Sequence, residues 1–331
     1  MENKKRTIEL KKVENLIVKD LNKEKTISSL YRHIFKSKGK KLRARLSLIA
    51  SSIQNHKDRV KLASVIELLH TATLVHDDVV DNSETRRGAK SINSLWTNAH
   101  SVLIGDYIYS KAFIYTVEVG NLKIFSELAN ASNEISQGEL MQLGEIGNIK
   151  ISLNKLKQIS YYKTGRLFEA SAITGAILSS GSKTYIKNIG ECAKNLGILF
   201  QVKDDLLDYS LQSSTGKPSL QDLAEGKITY PLYYAFKNAS KSDRSFFIKC
   251  LGNKKALENK VLRKEVIQNI SKLNGIKKTE DLAMLYHSKT LNCADKIKNK
   301  NIKEEMIELA NMALNRNKWH FILKNLIQRK S

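Results

Sequence analysis

Three aspartates at the end of a long apolar segment have the spacing of a metal site. Asp77, Asp78 and Asp81 lie in the stretch HTATLVHDDVVDNSETRRG, and on a helix Asp77 and Asp81 share one face about one turn apart. Two carboxylates at that distance repel each other, whereas Mg²⁺ prefers carboxylate oxygens together with substrate phosphates. Arg86 and Arg87 follow, and guanidinium groups match phosphate oxygens in pairs. This order of residues indicates a site for a metal-bound diphosphate.

The acidic spacing occurs a second time, in the segment FQVKDDLLDY, where the aspartates are Asp204, Asp205 and Asp208. A single cluster of this kind is common at a solvated helix end. Both copies follow strongly apolar runs, however, and a helix that is apolar all round is buried. We therefore expect buried helices over 58–81 and from about 189 to 208, and we predict that both acidic motifs bind metal ions.

The motifs HTATLVHDDVVD, RRG and FQVKDDLLDY together resemble the trans-isoprenyl diphosphate synthase (polyprenyl synthetase) family, over about residues 25–316. The similarity is to long-chain bacterial members of the octaprenyl diphosphate synthase type. It implies a prenyltransferase with two or three Mg²⁺ ions per site. The implied reaction is head-to-tail condensation of isopentenyl diphosphate onto an allylic diphosphate primer, giving octaprenyl diphosphate for quinone side chains.

The same resemblance implies an all-α, single-domain helical bundle around a deep central cavity, with the two acidic motifs facing each other at its mouth. It also implies a homodimer. The chain of 331 residues has only 2 prolines and 16 glycines, a composition that suits long helices. We divide it into a lead-in segment (1–24), a catalytic domain (25–316) and a basic amphipathic tail (317–331). The tail either lies on a membrane surface or covers the dimer or the core.

The net charge of +23 raises the question of nucleic acid. The lysines are spread along the chain without a nucleic-acid-binding motif, and anionic substrates or an anionic membrane surface are equally served by basic charge. We therefore expect no nucleic-acid partner. The 3 cysteines form neither a disulfide framework nor a zinc pattern, and no run approaches the ~20 apolar residues of a membrane span. The expected location is the cytoplasm, with at most peripheral contact with the inner face of the membrane.

Gly39 precedes Lys40, Lys41 and Arg43, and a helix is expected to follow this basic loop. The loop is a candidate anion site, because backbone N–H groups at a helix start bind anions together with basic side chains. A basic surface turn is the alternative. In the family a Gly-Gly-Lys-Arg-Leu-Arg-Pro pattern binds isopentenyl diphosphate here, and Lys40 and Arg43 match its lysine and second arginine. Lys38 replaces the first glycine and Ala44 the proline. The resemblance adds two more residues to this diphosphate site, His70 and Arg87, although a lone buried histidine is also commonly structural.

Further site residues follow from the resemblance alone. Those assigned to the allylic diphosphate are basic: Arg86, Lys163, Lys217 and Lys227. Those assigned to the reacting carbons are Lys163, Thr164 and Gln201. Leu220 stands where a glycine is usual, close to the loop that carries Lys217.

Ala72 and Thr73, five and four residues before Asp77, bear on product length. A prenyl tail that starts at the diphosphate must run back along this helix, so small residues one turn down let it pass. Short-chain relatives place an aromatic residue at one of these positions, and small residues therefore predict a long product. The alternative is that they merely allow close helix packing.

Three other functions share part of this pattern. A farnesyl or geranylgeranyl diphosphate synthase shares every motif, and Ala72 and Thr73 argue against it. A terpene cyclase does not need Lys40, Arg43 and His70 for a second diphosphate. A non-catalytic partner subunit generally lacks one acidic motif, whereas both are intact here.

Overall fold

The computed structural model describes residues 2–19, 24–36, 39–54, 56–210 and 219–315. The predictions for Lys38, Lys217 and the tail 317–331 therefore lie outside the described residues. Helices dominate the part of the chain that is described, so the predicted all-α class is confirmed. No helix in these ranges is both long enough and apolar enough to cross a membrane.

The first half of the chain carries a two-stranded ribbon among its helices. In chain order the elements are α1 (Glu2–Lys19), α2 (Lys25–Lys36), α3 (Leu42–Ala50), a 3₁₀ turn (Ser51–Ile53), α4 (Arg59–Val80), β1 (Thr85–Arg86), β2 (Ala89–Lys90), α5 (Ile92–Leu95), α6 (Asn98–Val119), α7 (Leu122–Gly144) and α8 (Leu153–Ser160).

The second half begins with a π-helical segment between two α-helices. The elements are the π-helical segment (Tyr161–Gly165), α9 (Arg166–Leu178), α10 (Lys183–Asp208), α11 (Gln221–Ala224), α12 (Tyr230–Asn238), α13 (Lys241–Cys250), a 3₁₀ turn (Ala256–Glu258), α14 (Lys260–Lys272), α15 (Gly275–Ala294) and α16 (Lys300–Leu314).

The chain folds into two compact units, each built from several separate segments. The first comprises Met1–Ser132, Leu167–Ala193 and Ile297–Lys303, and the second comprises Asn133–Arg166, Lys194–Lys296 and Glu304–Ser331. The boundaries predicted at 24/25 and 316/317 stay predictions.

Helix α4 lies in the core of the first unit. It has no glycine or proline in its 22 residues, and apolar side chains all round it are buried: Leu62, Ala63, Val65, Ile66, Leu68 and Leu69. Packing against α6 is close, because a Cβ added at Gly105 would lie 2.2 Å from the His76 ring. The buried helix predicted over 58–81 is thus confirmed, and it ends at the first acidic motif.

The lead-in helix α1 also packs into the first unit. Val13 and Ile17 are fully buried in its core. Arg59 on α4 forms a 3.1 Å ion pair with Glu9, and Arg6 donates to the same carboxylate at 2.7 Å. Helix α1 is therefore held to α4 both by apolar packing and by the Arg59–Glu9 ion pair.

The antiparallel ribbon β1–β2 follows α4 directly. Its two-residue turn is Arg87–Gly88, with φ angles of 52° and 78°. Two consecutive positive φ values fit the twist of a tight hairpin. The sequence analysis predicted no strand here, and the turn places Arg87 at the tip of the ribbon.

In the second unit, Leu220 takes the left-handed backbone that its usual glycine would take. Its φ is 63° and its side chain is 1% exposed. A left-handed conformation costs a non-glycine residue about 1–2 kcal/mol, whereas burying a leucine side chain contributes about 1.5–3 kcal/mol. The leucine therefore preserves the glycine-like turn and adds to the apolar cluster around α12 and α14.

Candidate functional site

The first acidic motif lies at the carboxyl end of α4. Asp77 and Asp81 are both half-buried, and the Asp81 amide donates to the Asp77 carbonyl at 2.8 Å. Asp78 is 5% exposed and accepts from Arg86 Nε and Nη2 at 2.8 and 2.5 Å. The middle aspartate thus ties the β1–β2 ribbon to α4, while Asp77 and Asp81 retain contact with solvent. The metal role of Asp78 and the diphosphate role of Arg86 stay predictions.

The second acidic motif, at the end of α10, repeats this division. Asp205 is 4% exposed and accepts from Gln201 Nε2 at 2.8 Å and from the Tyr230 amide at 3.4 Å. Asp208 accepts from the backbone amides of Gln221 and Asp222 at 2.9 and 3.1 Å, which anchors the start of α11. Asp204 is half-buried and shares its helix face with Asp208.

Negative charge accumulates around this second motif. Burial raises the pKa values of Asp205 and Asp208 well above the usual range, and the nearby Asp222 carboxylate is the next cause in both. The sequence analysis gave Asp222 no role, because its approach to α10 depends on the turn at Leu220. A bound cation would relieve this repulsion between carboxylates.

These carboxylates fit Mg²⁺ only if the phosphates of a bound substrate complete its set of ligands. Within the described ranges, no group of three or more His, Cys, Asp or Glu side chains is close enough to hold a metal ion. Mg²⁺ is usually bound by one or two carboxylates together with substrate phosphates and waters, rather than by an all-protein cage. Half-buried Asp77, Asp81 and Asp204 match that requirement.

Lys163 and Thr164 lie on the π-helical segment between α8 and α9. Such π-bulges often occur at functional sites, because they turn a side chain out of the helical register. Lys163 Nζ donates to Glu139 Oε2 at 2.8 Å and to Gln142 Oε1 at 2.7 Å. Two acceptors from α7 therefore hold the lysine that the resemblance assigns to the allylic diphosphate.

A chain of hydrogen bonds connects the predicted catalytic polar groups of the second unit. Thr164 Oγ1 donates to Gln201 Oε1 at 2.5 Å, and Gln201 Nε2 donates to Asp205 Oδ1 at 2.8 Å. Asp205 thereby fixes which end of the Gln201 amide faces Thr164. This positioning contact could be anticipated from the four-residue spacing of Gln201 and Asp205 on one helix.

The remaining predicted allylic-site residue in the described ranges is Lys227. It is buried, and its Nζ donates to Glu225 Oε2 at 2.7 Å. Its backbone amide donates to the Asp222 carbonyl at 2.8 Å. Lys227 therefore lies in the same unit as the second acidic motif and Lys163.

The first unit brings together residues predicted to bind isopentenyl diphosphate. Arg43 Nη1 lies 3.0 Å from His70 Nε2, and the Arg43 guanidinium lies 4.7 Å from the centre of the Phe168 ring. Burial lowers the pKa of His70 well below its usual range, and the Arg43 charge lowers it further. A neutral His70 accepts from Arg43, which leaves the other ring nitrogen as a donor. The sequence analysis missed Phe168, which lies on α9.

Arg87 joins this group through the glycine of the basic loop. A Cβ at Gly39 would lie 2.5 Å from Arg87 Nη1, so the loop and the ribbon tip touch only because residue 39 lacks a side chain. Lys41 pairs with Glu14 at 2.6 Å, and Lys40 is exposed. Three of the four residues predicted for this diphosphate, Arg43, His70 and Arg87, thus belong to one cationic group.

Gly39→Ala is expected to weaken isopentenyl diphosphate binding without unfolding the protein. The added methyl group must displace the flexible Arg87 guanidinium, and a misplacement of about 1 Å can cost up to about 10²-fold in catalysis. Steady-state kinetics should show a higher KM for isopentenyl diphosphate. Gly144→Ala is the control, because a Cβ there meets no atom within 4 Å. Equal KM values for the two variants would contradict the contact.

Comparison with known proteins agrees with this geometry. The polyprenyl synthetase family model matches residues 24–270. The chain belongs to the polyprenyl synthetase family. This synthetase is 31% identical to octaprenyl diphosphate synthase of Haemophilus influenzae, over 93% of this chain and 94% of that protein. It is 37% identical to octaprenyl diphosphate synthase of Escherichia coli, over 68% and 71%.

A solved structure gives the same result for the fold. The synthetase resembles the crystal structure of a decaprenyl diphosphate synthase from Rhodobacter capsulatus, with a TM-score of 0.87 and 29% identity over 94% of this chain and 96% of that one. The predicted isoprenoid-synthase-type fold is confirmed. The relatives are named prenyl diphosphate synthases, and the synthetase is an enzyme of that prenyltransferase class.

Proposed function

We propose that this synthetase is a Mg²⁺-dependent trans-polyprenyl diphosphate synthase that condenses isopentenyl diphosphate with an allylic diphosphate. One observation supports this most strongly: helix α4 carries His70 of the cationic group and Asp77 of the acidic motif. They are seven residues apart, or about 10 Å along the axis. A single rigid helix therefore sets the spacing between a metal-free diphosphate site and a metal-dependent one.

To the allylic diphosphate we assign Lys163 and Lys227, which belong to the unit of the second acidic motif, and Arg86, which contacts the first motif. Mg²⁺, when bound there, neutralises diphosphate charge and so favours departure of the leaving group. Thr164 and Gln201 present oxygen atoms to the developing positive charge, which is electrostatic stabilisation of the transition state. As the allylic C–O bond breaks, the diphosphate leaves with the electron pair.

Arg43, His70 and Arg87 hold isopentenyl diphosphate so that its π-bond attacks the allylic carbon. A new C–C bond forms, and a proton is lost from the condensing unit to the released diphosphate. The elongated product is again an allylic diphosphate, so the cycle repeats. Apolar walls exclude water, which would otherwise capture the cation.

A terpene cyclase is disfavoured by the cationic group of the first unit. A cyclase ionises one diphosphate and has no use for a second site, whereas Arg43, His70 and Arg87 are assembled by contacts among α3, α4, α9, the basic loop and the ribbon. A non-catalytic subunit would have no need of the Thr164–Gln201–Asp205 chain.

For product length we propose octaprenyl diphosphate, supported by the small residues before the first acidic motif. Sizing the products by mass spectrometry, after incubation with Mg²⁺, farnesyl diphosphate and isopentenyl diphosphate, tests this directly. A ladder ending at the octaprenyl product supports the proposal. A stop at geranylgeranyl diphosphate would retain the chemistry and overturn the length.

Thr73→Tyr is expected to shorten the product. Thr73 is half-buried and its hydroxyl donates to the His70 carbonyl at 2.9 Å, so its side chain has room on the surface of α4. Ala72, in contrast, is fully buried in the core of the first unit. Ala72→Tyr should destabilise the fold by about 1–3 kcal/mol through overpacking. An unchanged product ladder in Thr73→Tyr would remove residue 73 from the tunnel wall.

We propose a homodimer, with α6 contributing to the interface. Leu103, Ile114 and Val117 are exposed by 67%, 58% and 66%, and their spacing places them on one face of this helix. Exposed apolar side chains that share one face of a helix can mark an interaction site. Sedimentation equilibrium tests the pairing, since a monomeric mass would contradict it.

A further inference from the structure

Glu67 is a buried carboxyl group that neither the acidic motifs nor the assigned substrate residues include. It lies on α4, one turn before His70, and is only 4% exposed. Its Oε2 atom is buried and has no hydrogen-bond partner in the part of the chain that the structure describes. Buried polar atoms are nearly always hydrogen-bonded, so an unsatisfied one points to a group that is supplied by a ligand.

The Glu67 side chain lines a cavity of about 180 Å³ within the first unit. Gly39, Lys41, Thr71 and Arg87 line the same cavity. The glycine of the basic loop and the arginine of the ribbon tip, which touch each other, are thus neighbours of Glu67 in one space. Arg87, which is also part of the proposed diphosphate site, thus links that site to the cavity.

The charges around Glu67 are mostly positive. Lys41 and Arg43 face it from the segment around the start of α3, Arg87 faces it from the ribbon, and Glu14 faces it from α1. Lys41 is paired with Glu14 and Arg43 contacts His70. Within the described ranges, Glu67 forms no salt bridge with any of these cations, although an ionised carboxylate would attract them.

The missing pair agrees with a carboxyl group that favours its neutral form. Burial raises the pKa of Glu67, and this effect exceeds the opposing attraction of Lys41, Arg87 and Arg43. A neutral carboxyl group carries an O–H donor and no charge to repel an anion. In that form Glu67 adds a hydrogen-bond donor to the cavity that Lys41 and Arg87 also line.

We propose that Glu67 binds the diphosphate of isopentenyl diphosphate directly, donating a hydrogen bond from its carboxyl group beside Arg87. This inference rests on the proposed function of the cationic group as the isopentenyl diphosphate site. Binding is then linked to pH. Because a raised pKa keeps the group protonated at low pH, a rise in pH removes the donor, adds a negative charge and weakens diphosphate binding.

Steady-state kinetics of two Glu67 variants tests the proposal, with KM measured separately for isopentenyl diphosphate and farnesyl diphosphate. Glu67→Leu removes the donor and should raise the KM for isopentenyl diphosphate by about tenfold, leaving that for farnesyl diphosphate unchanged. Glu67→Gln keeps an N–H donor that cannot ionise. Its KM should stay low and lose the increase with pH that is expected of the wild type as Glu67 ionises.

Ser64→Ala is the matched control on the same helix. Ser64 is fully buried, its hydroxyl donates to the Val60 carbonyl, and it has no place in the proposed site. Its kinetics should match the wild type. Thermal unfolding shows whether Glu67→Leu folds. If it does not, the pH profile of Glu67→Gln alone tests the proposal.

An active wild type supports the proposed function. Two results with the variants would nevertheless overturn the proposal for Glu67. A lower KM in both Glu67 variants would mean that the carboxylate is ionised and repels the substrate. An unchanged KM in Glu67→Leu would mean that Glu67 does not touch the diphosphate. A wild type without activity would instead remove the proposed function on which this inference rests.

Discussion

Replacing Asp77 or Asp204 by alanine is expected to lower kcat by about 10³-fold or more, because each is proposed to bind a metal ion where charge develops in the transition state. Asp77 lies at the end of α4 and Asp204 near the end of α10, and both are half-buried. Their removal should therefore leave the helix content unchanged. Activity measured with saturating Mg²⁺ and circular dichroism on the same samples check the two parts of this expectation.

Asp281→Ala is the control for removing one carboxylate. Asp281 is 61% exposed on α15 and forms only a surface pair with Lys277 at 3.2 Å; such pairs contribute little. Its kcat should match the wild type. Near-normal activity in both Asp77→Ala and Asp204→Ala would overturn the metal assignment for these aspartates.

Replacing Arg43 by alanine is expected to raise the KM for isopentenyl diphosphate by about 10- to 100-fold, since arginine–phosphate bonds are charge-assisted. The effect on farnesyl diphosphate should be small, because Arg43 belongs to the group around His70 rather than to the acidic motifs. Initial rates are measured before product inhibition sets in, while one substrate is varied at a time. These rates give the two KM values separately.

Arg244→Ala is a control that also removes an arginine stacked on an aromatic ring. Arg244 lies 5.5 Å from the centre of the Phe236 ring, is exposed, and has no predicted site role. It should leave both KM values unchanged. A rise of equal size in both KM values of Arg43→Ala would indicate a general loss of structure instead of a lost diphosphate contact.

Local sequence patterns predicted the buried helices well. The helix predicted over 58–81 forms as Arg59–Val80, because its apolar residues cover every face and Asp81 caps its end. The second helix was predicted from about 189 and begins earlier, at Lys183. Its first turn is held by tertiary packing, in which the Tyr185 hydroxyl donates to the Ala50 carbonyl at 2.8 Å. No periodicity within 183–188 reveals that contact.

Residue spacing alone predicts the same role for all aspartates of a motif. In the structure, the aspartates of one motif differ in burial and in their hydrogen-bond partners. Asp78 and Asp205 are buried and engaged by Arg86 and Gln201, respectively. Asp77 and Asp204 remain half-buried. The difference arises from tertiary packing around each helix end, which residue spacing alone does not encode.

Contacts between distant segments were the least predictable part of the site. The Phe168 ring under Arg43 and the Glu139 partner of Lys163 come from other helices. The ribbon after α4 depends on Arg87 adopting a positive φ, which is uncommon for a residue other than glycine. The resemblance supplied the expected roles of Arg43, Lys163 and Arg87, but only the fold shows which contacts hold them.

The central claim is that this synthetase joins two diphosphate substrates with the help of Mg²⁺. The most direct measurement is incorporation of labelled isopentenyl diphosphate into prenyl diphosphate, with farnesyl diphosphate as primer, before and after metal removal by EDTA. We expect product only when both substrates and Mg²⁺ are present, with activity restored by added Mg²⁺. Incorporation that is unaffected by EDTA, or no product from a folded protein with excess Mg²⁺, would contradict the account.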